Sequence, residues 1–155
     1  MSAPTHSDND LSRREEMSVS GAAMSSAPWG AAAVTGGVFA AGDFALHVLG
    51  SGLSSFHLSA FSGSLAMGAV AFFVVAAAGA LWRARSSRAL RWARSNPWRF
   101  AMLPALACAA VALVLSVVTG GGVIDGLLSG LWHGGVVYGL TGVAGVTSKS
   151  RKTAP

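Results

Sequence analysis

The chain has 155 residues, of which 52% are hydrophobic and only 11% are charged, whereas soluble domains carry about 25% charged residues. So low a charge content excludes an ordinary soluble globule, which would be left with a large apolar surface. The single cysteine excludes an intramolecular disulfide and a Cys-x-x-Cys zinc or redox motif. The net charge of +5 is explained by membrane topology rather than by nucleic-acid binding, because basic residues collect on the cytoplasmic side of a membrane protein. Attraction to anionic lipid head groups follows from the same placement.

The N-terminal segment, residues 1–28, is polar, rich in small residues and without hydrophobic periodicity. Such a segment buries too little apolar surface to offset the entropy of ordering. We therefore predict a disordered cytoplasmic tail over 1–28, followed by a membrane domain over 29–147 and a basic cytoplasmic tail over 148–155.

Four apolar segments of the membrane domain are long enough to cross a bilayer, because about 20 residues of helix span a hydrocarbon core roughly 30 Å thick. The second and third contain no charged residue, and the first and fourth each carry one Asp and one His. The sequence thus predicts an all-α integral membrane protein with four transmembrane helices, at about 30–50, 63–82, 100–119 and 123–146.

The basic residues predict the orientation of these helices. All eleven Lys and Arg residues lie in the N-terminal tail, in the connection at 83–99 or near the C-terminus. None lies in the two other connections, at about 51–62 and 120–122. Because basic residues collect on the cytoplasmic side of inserted helices, we expect a multi-pass protein of the cell (inner or plasma) membrane with both termini in the cytoplasm.

The basic connection at 83–99 is predicted to contain a short amphipathic helix between the second and third spans. On a helix its arginines share one face, which suits a helix lying on the cytoplasmic surface with its apolar face in the head-group layer. These arginines would contact anionic lipid. The alternative is that they bind a partner protein or the phosphates of a nucleic acid. The four are Arg85, Arg88, Arg91 and Arg94.

Signatures of common enzymes are missing, since the chain has no His-Glu-x-x-His, no Gly-x-Ser-x-Gly and no phosphate-binding glycine loop. We therefore expect no enzymatic activity. The groups that can carry chemistry are polar residues inside the first and fourth spans, where an ionised side chain costs about 2.5–3.5 kcal/mol and marks a functional site by default. This intramembrane polar cluster comprises Asp43, His47, Asp125, Ser129 and His133.

If the first and fourth spans touch, helix rise brings His47 towards Asp125 and Asp43 towards Ser129 or His133. Separate structural roles for these residues are the alternative: Asp125, for example, is placed to complement the dipole of a helix N-terminus.

Three chemistries suit such a cluster. A proton or cation path needs Asp and His beside water, and copper or zinc would find weak candidate ligands in Asp43, His47 and His57. Haem would need His47 and His133, but these two differ in depth by about 10 Å on the helix rise, which argues against a centred pair of axial ligands. The sequence therefore identifies no cofactor.

The fourth span carries glycines at intervals of four, which is typical of helices that pack closely in lipid. They are Gly126, Gly130 and Gly134, with Gly139 following Gly135 at the same interval. The first span has a matching stripe at Ala33, Gly37 and Ala41. We expect the fourth helix to be the most buried of the bundle, or to form an oligomer interface.

Three functional hypotheses remain. The first is a small membrane protein that acts as a homo-oligomer or as a subunit of a larger membrane complex, in transport of a proton, an ion or a small solute. The second is a haem- or metal-binding subunit of a redox complex. The third is a membrane anchor whose basic loop recruits nucleic acid, as in DNA transfer, or a protein partner.

Overall fold

The computed structural model describes residues 13–51, 58–82 and 88–150, and all of its regular structure is helical. The prediction of an all-α chain is confirmed for these residues. Six helices follow one another along the chain: α1 (Arg13–Met24), α2 (Trp29–Ser51), α3 (Leu58–Trp82), α4 (Arg88–Ser95), α5 (Pro97–Val118) and α6 (Gly122–Ser150).

Three of the described helices are long and apolar enough to cross a membrane, and they correspond to the first three predicted spans. Their apolar segments are Trp29–Gly50 in α2, Ala60–Trp82 in α3 and Pro97–Val118 in α5. Helix α6 covers the fourth predicted span and is the longest, at 29 residues. It is not among the three, because its many glycines and its Asp125 and His133 dilute its hydropathy.

Helix α3 is the centre of the arrangement. It packs against α2 on one side and against both α5 and α6 on the other. Among the described residues, no Cα atom of α2 lies within 8 Å of one in α5 or α6. The bundle is therefore a row, with α2 at its edge and the α5–α6 hairpin at the opposite side.

Small residues set the distance between α2 and α3. A Cβ atom on Gly36 would lie 2.8 Å from the carbonyl oxygen of Gly68, and one on Gly68 would lie 2.7 Å from the Cβ of Ala40. Real Cβ atoms do not approach other atoms so closely, so both glycines are required by this contact. The contact lies one residue away from the predicted stripe, since Gly37 has open space beside it.

The α5–α6 hairpin is closed by the glycines of α6. Cβ atoms on Gly130 and Gly134 would lie 2.8 and 2.9 Å from the carbonyl oxygens of Ala109 and Ala105. The turn between the helices needs two further glycines, Gly120 and Gly122, whose φ angles of 88° and 78° lie in the left-handed region. The helices consequently run antiparallel over most of their length.

Helices α1 and α4 cover the end of the bundle where α3 ends and α5 begins. Part of the predicted disordered tail, residues 13–24, instead forms α1, whose Ala23 and Met24 are buried in a cluster with Leu90 and Phe100. Glu15 and Glu16 in its first turn favour this helix because they complement the dipole.

The predicted amphipathic helix at the centre of the basic connection is present as α4, but its apolar face lies elsewhere than predicted. Leu90 and Ala93 are 1% and 0% exposed, and Trp92 is 7% exposed. They pack against α1, α3 and α5. The expectation that this face enters the head-group layer is therefore wrong, because the chain's own helices cover it.

Candidate functional site

Asp43 of α2 is held by a side chain of α3. Ser64, which is 2% exposed, donates a hydrogen bond from Oγ to Oδ2 of Asp43 at 2.7 Å, and its Oγ also lies 3.1 Å from the carbonyl oxygen of Ala60. A carboxylate in a low-dielectric setting gains from such a donor. Asp43 therefore forms a polar link between α2 and α3.

The other predicted site residue of α2 is not part of this link. His47 is exposed one turn beyond Asp43, and it is engaged in contacts of its own. His57, the third weak metal candidate, falls outside the described residues.

The three predicted polar residues of α6 form a column along that helix, since they recur at intervals of four. Asp125 is exposed, whereas Ser129 and His133 are half-buried. Nδ1 of His133 lies 2.7 Å from the carbonyl oxygen of Ser129 and 3.3 Å from its Oγ. Because a carbonyl only accepts, this contact is a hydrogen bond when Nδ1 carries the proton, and that tautomer leaves Nε2 of the neutral ring as the acceptor.

Two members of this column open into a cleft that α3, α5 and α6 enclose at the end where α5 and α6 meet. The cleft has a volume of about 290 Å³. Its wall carries one carboxylate and several hydroxyl groups, which can accept from or donate to a hydrated cation or a small polar solute. The polar lining residues are Ser62, Ser116, Thr119, Asp125 and Ser129.

The structure does not unite the predicted cluster. The predicted pairs of His47 with Asp125, and of Asp43 with Ser129 or His133, required contact between the first and fourth spans, and α2 and α6 make no such contact among the described residues. Helix α2 uses its small residues on α3, and α6 uses its glycines on α5. Two separate polar places result: the Asp43–Ser64 link and the cleft that contains Asp125 and Ser129.

The separation of α2 from α6 also matters for the residues predicted as metal or haem ligands. Among the residues that the structure describes, no three His, Cys, Asp or Glu side chains are grouped as a metal ion requires. His47 and His133 stand on helices that α3 separates. Cys108 is buried in a cluster with Val70 and Val137.

The predicted packing residues, and likewise the predicted lipid-contact residues, do not all lie in the same surroundings. Gly126, Gly130 and Gly134 face α5, whereas Gly139 has open space beside it. Arg88 and Arg91 are exposed on α4, and Arg85 lies outside the described residues.

The fourth arginine of that set has an internal partner. Nε of Arg94 donates a hydrogen bond of 2.9 Å to the carbonyl oxygen of Leu81. It thereby satisfies a backbone acceptor in the last turn of α3, where a cation also complements the dipole.

Several residues of the two polar places were missed from the sequence. Ser64 forms the link, and Ser62, Ser116 and Thr119 line the cleft. A usable signal was the position of these hydroxyls, all near the ends of apolar segments on the side that lacks basic residues. Hydroxyl side chains are so often satisfied by their own helix that this signal does not stand out without the tertiary arrangement.

Comparison with protein-family models, curated proteins and solved structures finds no match to this chain.

Proposed function

We propose that the chain is a four-span membrane protein with both termini in the cytoplasm, and that it conducts a proton, an ion or a small polar solute through the cleft between α3, α5 and α6. It has no enzymatic activity of its own and works as a homo-oligomer or as a subunit of a larger membrane assembly. The observation that carries the transport role is the cleft, which places Asp125 and Ser129 beside the hydroxyls of α3 and α5.

The packing of α6 on α5 supports the proposal of a fourth span. Near the turn, Gly126 faces Leu113, and at the far end Gly145 faces Pro97, the first residue of α5. Because α6 follows α5 over this whole length, a membrane that contains α5 also contains α6. The glycines that lower the hydropathy of α6 are the residues that bring it against its neighbour.

The cytoplasmic position of both termini rests on charge. Basic residues lie before α2, between α3 and α5 and after α6, and the connections at 51–62 and 120–122 carry none. The cleft then opens towards the outer face, since it is lined by the end of α5 and the beginning of α6. Asp125, about one turn into α6, supplies negative charge at that entrance, which attracts cations.

The assembly role rests on α2. Among the described helices it packs on α3 alone, and its outward face carries large exposed side chains such as Val34, Leu46 and Leu49, which are 68%, 71% and 82% exposed. Lipid or a second subunit covers this face in a membrane. Among the residues that the structure describes, no comparable observation favours the haem or metal hypothesis or the nucleic-acid hypothesis.

Flux through reconstituted vesicles tests the transport role. Asp125→Asn removes the charge at the cleft and should abolish or strongly reduce uptake of protons or monovalent cations, whereas Asp43→Asn, outside the cleft, serves as the matched control and should leave uptake near the wild-type rate. Equal loss in both variants, or flux no faster than in empty vesicles, would contradict the proposal.

A further inference from the structure

We propose that the cytoplasmic half of α5 binds one phospholipid with an amine-bearing zwitterionic head group, with its two acyl chains on either side of a ridge formed by Met102 and Leu106. This site rests on the membrane setting proposed above but not on the transport role. It lies on the face of the hairpin away from the Asp125 cleft, and it is lined by different residues.

Two depressions flank the ridge. One is a groove of about 280 Å³ between α5 and α6, with an almost wholly apolar wall and a floor of small residues that includes Gly130, Gly134 and Gly135. The other, of about 470 Å³, lies between α5 and α1. Met102 and Leu106 line both, and they are 47% and 59% exposed. Two grooves with one shared wall match the two acyl chains of a phospholipid.

The depth of the groove matches one leaflet. From Arg99 to Ala109, at the far end of the groove, α5 rises about 15 Å. Half of a hydrocarbon core roughly 30 Å thick is the same length. Trp98 and Tyr138, whose ring centroids are 5.4 Å apart, stand beside the near end, and such amphipathic rings settle at the head-group level.

The charged residues at the cytoplasmic end of the grooves select the lipid head group. Nη1 of Arg99 donates to Oε1 of Glu16, which joins α5 to α1, and the Arg99 side chain remains 54% exposed. A guanidinium has five N–H donors, so Arg99 can also donate to a lipid phosphate. The free acceptor capacity of Glu16 suits an ammonium group, as in phosphatidylethanolamine. A purely anionic head group would meet the carboxylate without compensation.

The groove can be blocked without disturbing the fold. Gly135 lines the groove, and a Cβ atom there would meet nothing within 4 Å. Gly135→Leu therefore fills the space reserved for the acyl chain. Gly139 also has nothing within 4 Å but does not line the groove, so Gly139→Leu is the matched control.

The experiment reconstitutes the full chain in vesicles of equimolar phosphatidylethanolamine and phosphatidylglycerol, extracts it in mild detergent, and measures retained lipid by native mass spectrometry. We expect phosphatidylethanolamine to be retained at about one per chain by the wild type and by Gly139→Leu, and to be lost from Gly135→Leu. Arg99→Gln should weaken retention about tenfold, which corresponds to ~1.4 kcal/mol. Glu16→Gln should remove the preference for phosphatidylethanolamine.

Equal retention by Gly135→Leu and Gly139→Leu would overturn the site, and so would a wild type that retains no phospholipid or prefers phosphatidylglycerol. These failures differ from failure of the proposed function. A chain that an alkaline carbonate wash releases from vesicles contradicts the membrane setting itself, whereas one that stays embedded but lipid-free contradicts this site alone.

Discussion

The two helix–helix seams of this protein are both built on small residues, but they differ in what surrounds them. In the α5–α6 seam, three glycines of α6 lie so close to α5 that a Cβ atom on each would be 2.8 to 3.1 Å from a backbone oxygen of that helix, and α3 packs over both helices. In the α2–α3 seam, one glycine from each helix makes the close approach, and Asp43 and Ser64 add a hydrogen bond.

The difference shows how a glycine-rich helix and an acid-bearing helix are stabilised in the same bundle. Lipid supplies no hydrophobic drive for helix association, so close packing and interhelical hydrogen bonds must provide it. Helix α6 relies on extended backbone contact. Helix α2 has a shorter contact and a single neighbour, and it relies in part on a polar link. We therefore expect the α5–α6 seam to be the less tolerant of the two.

The largest effect is expected at Gly130. A Cβ atom there would lie 2.8 Å from the carbonyl oxygen of Ala109, and neither backbone can yield because α3 holds both helices. Gly130→Val should lower the free energy of unfolding by about 3 kcal/mol, the upper end of the cost of overpacking. Reversible unfolding in mixed micelles measures this change.

The control for that variant lies two and a half turns further along α6. Gly139→Val adds the same atoms where nothing lies within 4 Å, and it should alter the free energy of unfolding by less than about 0.5 kcal/mol. Similar losses in the two variants would mean that the glycines of α6 do not pack against α5 as described.

A smaller effect is expected at Gly36 in the other seam. Its Cβ would lie 2.8 Å from the carbonyl oxygen of Gly68, but α2 can move away because it has no second neighbour among the described helices. Gly36→Val should cost about 1–2 kcal/mol in the free energy of unfolding, within the lower range for overpacking.

The adjacent residue provides the comparison, since Gly37 has open space beside it. Gly37→Val should leave the free energy of unfolding of the monomer almost unchanged. A greater loss for Gly37→Val than for Gly36→Val would show that α2 packs through the stripe that contains Ala33 and Ala41 instead.

The smallest of the three effects is expected for the polar link. Ser64→Ala removes the donor to Asp43, and interhelical hydrogen bonds in membranes contribute about 0.6 kcal/mol on average and at most about 1.7 kcal/mol. A double-mutant cycle with Asp43→Ala isolates the coupling free energy. A coupling of zero would mean that the 2.7 Å contact contributes nothing to the association of α2 with α3.

Much of the fold was predictable because hydropathy and helix length are local properties. The predicted first span at 30–50 differs by one residue at each end from α2, and the turn at 120–122 was visible from its glycines. Helix α1 was missed because its sequence has little apolar periodicity, and its order depends on Ala23 and Met24 packing against α4. That contact joins segments far apart in the chain.

The candidate site was less predictable, because pairwise helix contacts are not encoded in hydropathy. The glycine stripe of α6 indicated close packing but not which helix would occupy it, and α5 occupies it where we expected α2 or another subunit. Polar residues of α2 and α6 therefore fall on opposite sides of α3. Ser64 and Ser62, two residues apart on α3, face these two sides separately.

Labelling of single cysteines in intact cells tests the account most directly, because every conclusion about the cleft and the lipid site depends on α6 crossing the membrane beside α5. In a Cys108→Ala background, an impermeant maleimide should label Thr119→Cys, between α5 and α6, from outside. It should label Ser95→Cys and Ser148→Cys, near the ends of α4 and α6, only after the membrane is opened. Labelling of Ser148→Cys from outside together with Thr119→Cys would contradict the four-span arrangement.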